Sequence, residues 1–192
     1  MMVLSMPAGT SATHPPAEVR AHNRAVAFVP MTTADLDAVW DMEKRAYSHP
    51  WSLGNFRDSL QSGYPAQMLV SDALPGESPL NLTATSQALL GYLVAMRGVD
   101  EVHVLNIAVA PEHRRQGWGQ VLLQALAVQS LAEGAQWIWL EARASNHPAL
   151  ALYRHVGFLP MGVRKQYYPA GGGQREDAVV MSLNLRTLAV KP

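Results

Sequence analysis

The chain has no cysteine in its 192 residues. That excludes disulfides, thiolate metal sites and a cysteine nucleophile, and it suits a reducing compartment. Net charge is also missing: 15 basic and 15 acidic side chains balance to zero, with a pI near 7.1. No global field draws the protein to nucleic acid or to an anionic membrane, so any anion site has to be built locally. No apolar run is long enough to span a bilayer. The N-terminus lacks the basic region and apolar core of a secretory signal. The seven histidines show no ligand spacing, and no metal site is expected. Charged residues are few at 16%, whereas hydrophobic residues reach 48%, enough for one domain with a substantial core.

The most informative stretch runs from Val102 to Leu126. It begins as a strand rich in apolar and β-branched residues, turns at Ala110-Pro111, and resumes as a helix whose first turn carries Gly117 and Gly119. His113, Arg114 and Arg115 lie between. Cations are out of place at a helix N-terminus, where unpaired N–H groups already create partial positive charge. Basic residues and glycines together there suit a bound anion, because glycine lets the backbone approach phosphate oxygens. The pattern is not a dinucleotide loop, since Leu122 stands where G-x-G-x-x-G needs its third glycine. It is not a Walker loop either, since no Gly-Lys-Ser/Thr follows.

The rest of the chain reads in order around this stretch. Residues 1 to 24 show no periodicity and are expected to be a disordered extension. Ala25 to Pro30 is a strand. A helix capped at Thr32 or Thr33 ends near Tyr47, and the Pro50-Trp51-Ser52 break leads into a second helix capped by Ser52. Strands follow at 66–71 and 88–96, separated by a Pro/Gly/Ser-rich loop over 72–86. After the central strand and its helix, Gln136 to Glu141 is a strand. Asn146 then caps a helix with Pro148 in its first turn. Two last strands, 158–168 and 178–185, form a hairpin around Gly171-Gly172-Gly173. The domain is expected to span 25–186, with a tail over 187–192. The order β-α-α-β-β-β-α-β-α-β-β implies an α/β fold, a mixed sheet of about seven strands flanked by about four helices.

Arg114-x-x-Gly117-x-Gly119 after Asn106-Ile107-Ala108-Val109 resembles the pyrophosphate signature of the GNAT acetyltransferases, and the element order is that of the GNAT fold. Leu140-Glu141-x-Arg143-x-Ser145-Asn146 and Ala151-Leu152-Tyr153-x-x-x-Gly157-Phe158 are similar to the N-terminal acetyltransferases within that family. So are Pro50-Trp51-Ser52, Tyr167-Tyr168-Pro169 and Arg175-Glu176-Asp177-Ala178. The match covers roughly 26–185. It departs at the extension, in the 72–86 loop and at His147-Pro148.

The resemblance implies acetyl-coenzyme A as co-substrate and no metal. It assigns the cofactor to Ile107, Ala108, Val109, Arg114, Arg115, Gln116, Gly117, Trp118, Gly119, Gln120 and Asn146. Glu141 becomes the proton acceptor and Tyr153 the proton donor to the departing sulfur, while Trp51, Tyr167 and Tyr168 line a peptide groove. Each residue also has a plainer reading. Glu141 could be a solvated carboxylate, Asn146 a helix cap, Tyr153 a core tyrosine, and the hairpin tyrosines cross-strand packing. The implied substrate is the N-terminal alanine of a small-subunit ribosomal protein, acetylated in the cytoplasm by a monomer that binds neither nucleic acid nor membrane. A lysine side chain, a small amine, or a silent coenzyme-binding module are the competing readings, and retention of both Glu141 and Tyr153 argues against silence.

Overall fold

The computed structural model describes residues 18–21, 24–74 and 82–187. The strands are β1 (Glu18–Ala21), β2 (Arg24–Pro30), β3 (Ala66–Ser71), β4 (Ala88–Arg97), β5 (Glu101–Val109), β6 (Trp137–Arg143), β7 (Leu159–Pro169) and β8 (Arg175–Asn184). The helices are α1 (Leu36–Ala46), α2 (Leu53–Gln61), α3 (Trp118–Ala132) and α4 (His147–Val156). One sheet runs β1-β2-β3-β4-β5-β6-β8-β7. Every neighbouring pair is antiparallel except β5 and β6, which are parallel.

The expected elements are present, with one addition. Regular structure reaches further toward the N-terminus than the sequence suggested. Glu18–Ala21, inside the stretch expected to be disordered, pairs with β2. The remainder of that extension, the middle of the 72–86 loop and the last five residues lie outside the described residues.

The sheet is covered on both faces, which is why β4 is apolar almost throughout rather than alternating. On one face, Leu122, Leu123 and Leu126 of α3 and Leu150 and Tyr153 of α4 pack on Leu93, Val104, Ile138 and Leu140. On the other, Val39 and Met42 of α1 and Phe56 of α2 pack on Met68, Val70, Tyr92 and Val94. Each such fully buried side chain contributes about 1.5–3 kcal/mol of burial free energy. Local chemistry fixes the helix starts. Asp35 accepts from the N–H and hydroxyl of Thr32 at 3.0 and 2.7 Å. Ser52 and Asn55 form a reciprocal box ahead of α2.

Two irregularities of β5 make the site. The first is a bulge. Val94 pairs with Asn106 but Ala95 with Val104, so Leu105 is an extra residue. One extra residue exchanges the faces of every side chain beyond it. Val102 and Val104 face α3, yet after the bulge it is Ala108 that packs toward α1 while Ile107 and Val109 pack toward α3. The second is divergence. The β5–β6 ladder stops at Val104↔Leu140, although both strands continue. Beyond that point β6 follows β8 through Arg143↔Ala178, and β5 follows β4 through Gly91↔Val109. A wedge opens between two strands of one sheet.

Candidate active site

The wedge holds a cleft of about 630 Å³. Val104, Leu105, Asn106 and Ile107 form one wall and Leu140 to Arg143 the other. The bend after α1, with Tyr47 and Trp51, closes one side. Asn146, Tyr153, Tyr168 and Pro169 close another. Glu141, Tyr153, Asn146, Ile107, Trp51 and Tyr168, which the sequence had singled out from five separate stretches, thus line one space. Tyr167 does not line it. Its ring is exposed and meets the edge of Tyr168 at 5.1 Å between centroids.

Glu141 sits where β6 has left β5 but still pairs with Val180 of β8. Its carboxylate lies 3.2 Å from the Arg164 guanidinium on β7, a half-exposed partner that the sequence did not reveal. Tyr153, on the buried face of α4, has no hydrogen-bond partner for its hydroxyl among the described residues. Burial pushes its phenol well above the ordinary value, with Tyr168 adding to the effect, so the proton stays on oxygen. Tyr168 donates to the Glu141 carbonyl at 3.2 Å and lies under Arg143 at 4.7 Å. Burial, then the Glu141 carboxylate, raises its phenol to about 12. Asn146 caps α4, accepting from the Ala149 N–H at 3.2 Å, and presents the rest of its amide to the cleft.

The Arg175-Glu176-Asp177 run shapes this wall. Three residues of β7, Lys165 to Tyr167, face only Asp177 on β8. Such a wide bulge exposes backbone, and the acidic and basic side chains of the run satisfy it. Arg175 donates to the carbonyls of Gln166 and Tyr167. Asp177 accepts from the Gln166 N–H at 2.9 Å. Glu176 accepts from the Ser145 N–H at 2.6 Å and pairs with Arg143 at 3.3 Å. The Ser145 contacts, first, hold the Glu176 carboxyl below its usual range.

The backbone of β5 carries the second part of the site. Ala110 N–H bonds to Leu90 on β4, so by alternation Ile107 and Val109 turn their polar groups the other way, toward the side β6 has vacated. Tyr47 donates its hydroxyl to the Ile107 carbonyl, and Arg114 approaches that of Val109 at 3.5 Å. Among the described residues no strand faces the N–H groups on that edge.

Past β5, a 3₁₀ turn over Pro111–His113 leads into a loop where Arg115 and Gly117 both have positive φ, 60° and 83°. Gly117 is the N-cap of α3 rather than part of its first turn, and the first helical bond is Val121 N–H to its carbonyl. The N–H groups of Trp118, Gly119 and Gln120 therefore have no acceptor within the helix. These donors, with Arg115, which forms no ion pair among the described residues, are a set suited to a diphosphate. The other predicted residues divide differently. Arg114 donates to the Ala46 carbonyl at 3.0 Å, stapling the loop to the end of α1. The Trp118 ring is buried, its N–H bonded to Gln116 at 3.1 Å, so only its backbone is offered. At Gly119 an added Cβ would meet Leu152 of α4 at 2.8 Å, so this glycine serves helix packing. Beside Gly117 the space is open.

Sequence reasoning passed over Glu43 and Tyr47. Glu43 is 1% exposed on α1 yet lines the cleft. A lone glutamate in an amphipathic helix carries no sign of burial. Among the described residues no cluster of His, Asp and Glu is arranged to hold a metal.

The model of the "Acetyltransferase (GNAT) family" matches residues 36–158, from the start of α1 to the end of α4. The chain is 36% identical, over 80% of its length and 93% of the relative's, to the [ribosomal protein bS18]-alanine N-acetyltransferase of Salmonella typhimurium. The crystal structure of the ribosomal-protein-S18-alanine N-acetyltransferase from Escherichia coli superposes with a TM-score of 0.70 at 33% identity, covering 83% of this chain and 94% of that one. A spermidine N-acetyltransferase chimera from Vibrio cholerae reaches 0.69 at only 16% identity, covering 86% and 99%, a likeness of fold alone. The chain whose diverging strands, open β5 edge and glycine-rich α3 start make this cleft therefore belongs to the GNAT acetyltransferases.

Proposed function

We propose that the protein acetylates the α-amine of an N-terminal alanine on a small-subunit ribosomal protein, using acetyl-coenzyme A. The observation that carries the reading is that Glu141 of β6 and Tyr153 of α4 line one cleft between the diverging strands. The 36% identity to a bS18-alanine N-acetyltransferase supports the choice of acceptor.

The donor supplies an activated acetyl group as a thioester. The start of α3 and Arg115 hold its diphosphate. The unpaired N–H groups of β5 lie along its arm and donate to the carbonyl oxygen as charge develops there. Glu141 takes the proton from the acceptor amine, directly or through water, and Arg164 holds that carboxylate in place. Tyr153 gives its proton to the leaving sulfur. Holding amine and carbonyl together in one cleft supplies much of the rate, up to ~7–11 kcal/mol of the barrier in favourable cases. Trp51 and Tyr168 flank the acceptor chain, with Tyr167 at the rim. We place the reaction in the cytoplasm, with the protein acting as a monomer and without nucleic acid or membrane contacts.

The test is a panel of alanine-starting peptides with free and blocked N-termini, read by thiol release from acetyl-coenzyme A. Turnover is expected only with the free amine. Equal turnover on blocked peptides that carry lysine would overturn the reading.

A further inference from the structure

Glu43 is a buried carboxylate with no established task. It is 1% exposed, and among the described residues it forms no ion pair. A carboxylate taken from water needs hydrogen bonds to remain charged. It receives them from three different elements. The Trp51 N–H donates from the bend between α1 and α2 at 2.7 Å. The Asn106 amide donates from β5 at 3.1 Å. The Tyr92 hydroxyl donates from β4.

Two of these three belong to different sides of the cleft. Trp51 belongs to the bend that covers it, and Asn106 is the first residue past the Leu105 bulge, next to Ile107. The bulge turns Asn106 toward α1 at all, since without it the residue would face α3. One carboxylate oxygen, Oε1, accepts from both Trp51 and Asn106. Loop position and strand position are therefore set by a single atom.

We propose that Glu43 is a positioning residue that fixes the Pro50-Trp51 bend against β5 and so sets the width of the channel into which the acceptor N-terminus enters. The inference rests on the acceptor reading above. It differs from a plain core role in what it affects: entry of the acceptor, not the anchoring of the donor's diphosphate, which the α3 turn holds. Its chemistry also makes a conservative variant informative. In Glu43→Gln the amide oxygen still accepts from Trp51 and Asn106, and the new NH2 donates to Tyr92, whose hydroxyl can accept instead. The contacts to Trp51 and Asn106 are kept and the carboxylate is lost. Glu43→Ala leaves three donors unpaired, two of them in buried contacts.

The experiment compares wild type, Glu43→Gln, Glu43→Ala and Asn106→Ala in three measurements. These are acceptor-peptide kinetics, calorimetric affinity for acetyl-coenzyme A, and amide hydrogen exchange at Trp51. Glu43→Ala is expected to raise the peptide KM about tenfold or more, the equivalent of losing one good hydrogen bond to a charged group. Its kcat and acetyl-coenzyme A affinity should stay within about threefold, and Trp51 exchange should quicken. Glu43→Gln should restore the peptide KM and the exchange protection. Asn106→Ala, which cuts only the strand arm, should raise KM less, and Glu43→Ala combined with Asn106→Ala should be no worse than Glu43→Ala alone. If Glu43→Ala does not fold, Asn106→Ala and its combination with Glu43→Gln still decide the matter. An unchanged peptide KM in a folded Glu43→Ala or Asn106→Ala would overturn the proposal. So would a Glu43→Gln as impaired as Glu43→Ala, because charge and not position would then be at work. Wild-type turnover on the peptide tests the acceptor reading separately, and Trp51 exchange reports on the bend whatever the substrate proves to be.

Discussion

At the scale of single residues, the account depends on two side chains that share a cleft and do opposite things with a proton. Tyr153 is buried against Phe158, and its hydroxyl has no protein partner among the described residues. Tyr153→Phe keeps the packing and removes only that group. Turnover should fall by roughly 10²–10⁴-fold while the melting temperature barely moves, since no buried hydrogen bond is lost. Normal turnover in that variant would make Tyr153 a core residue and nothing more. Glu141→Gln should lower turnover at pH 7 and leave acetyl-coenzyme A affinity intact, because the donor is held on the other strand and its turn. An N-terminal amine has an unperturbed pKa of about 7.7–8.0, so part of the lost rate should return at higher pH, where the amine is already neutral. A pH series of kcat/KM for both proteins checks this. An identical profile would remove Glu141 from the chemistry.

At the scale of elements, the donor site is a strand edge joined to a helix start. Arg115 is the charge best placed to act there, but its φ of 60° restricts what can replace it. Asparagine tolerates that backbone conformation and carries no charge. Arg115→Asn should weaken acetyl-coenzyme A binding several-fold at low ionic strength and much less at high salt, where the wild-type charge is screened. Calorimetry at two salt concentrations measures it, and equal loss at both would mean a steric rather than electrostatic effect. Much at this scale was legible in the sequence. The Ser52 and Asn146 caps, the glycine turns and the helix–strand order follow from local chemistry and periodicity. So did the convergence of Glu141, Tyr153 and Asn146, through a motif. Other features were not legible, for physical reasons. The Leu105 bulge leaves no mark in the sequence, because Val104, Leu105, Ile107, Ala108 and Val109 are apolar whichever face they take. The burial of Glu43 depends on donors 8, 49 and 63 residues away. That the missing side chain of Gly119 also makes room for Leu152 depends on a partner set by the packing of α3 on α4. The strand Glu18–Ala21 gains its order from β2, not from its own pattern.

At the scale of the whole molecule, buried phenols give the fold a pH limit. Tyr47, Tyr92 and Tyr153 are all raised above the ordinary value near 10, chiefly by burial, with the Glu43 carboxylate also acting on the first two. A group whose pKa is raised on folding contributes stability that is complete below its unfolded pKa and is lost as pH climbs toward the folded one. The window therefore opens near pH 10, where the unfolded chain gives up protons that the folded chain keeps. Each such tyrosine steepens the loss by up to about 1.4 kcal/mol per pH unit. Stability should be flat on this account up to about pH 10 and fall steeply above it, and Tyr153→Phe should make that fall shallower. Denaturant melts across pH 8–11 measure both slopes. A wild-type slope unchanged above pH 10 would contradict the burial of these hydroxyls.

The central claim is that this cleft delivers acetyl to an α-amine. A carboxylate takes a proton from an α-amine, whose unperturbed pKa is about 7.7–8.0, far more readily than from a lysine, whose unperturbed pKa is about 10.4. The most direct measurement is a single reaction. A peptide that starts with alanine and contains internal lysines is incubated with the protein and acetyl-coenzyme A, and fragment-ion mass spectrometry locates the acetyl group. The account predicts acetyl on the N-terminal alanine with the lysines unmodified. Acetyl found mainly on lysine would contradict it.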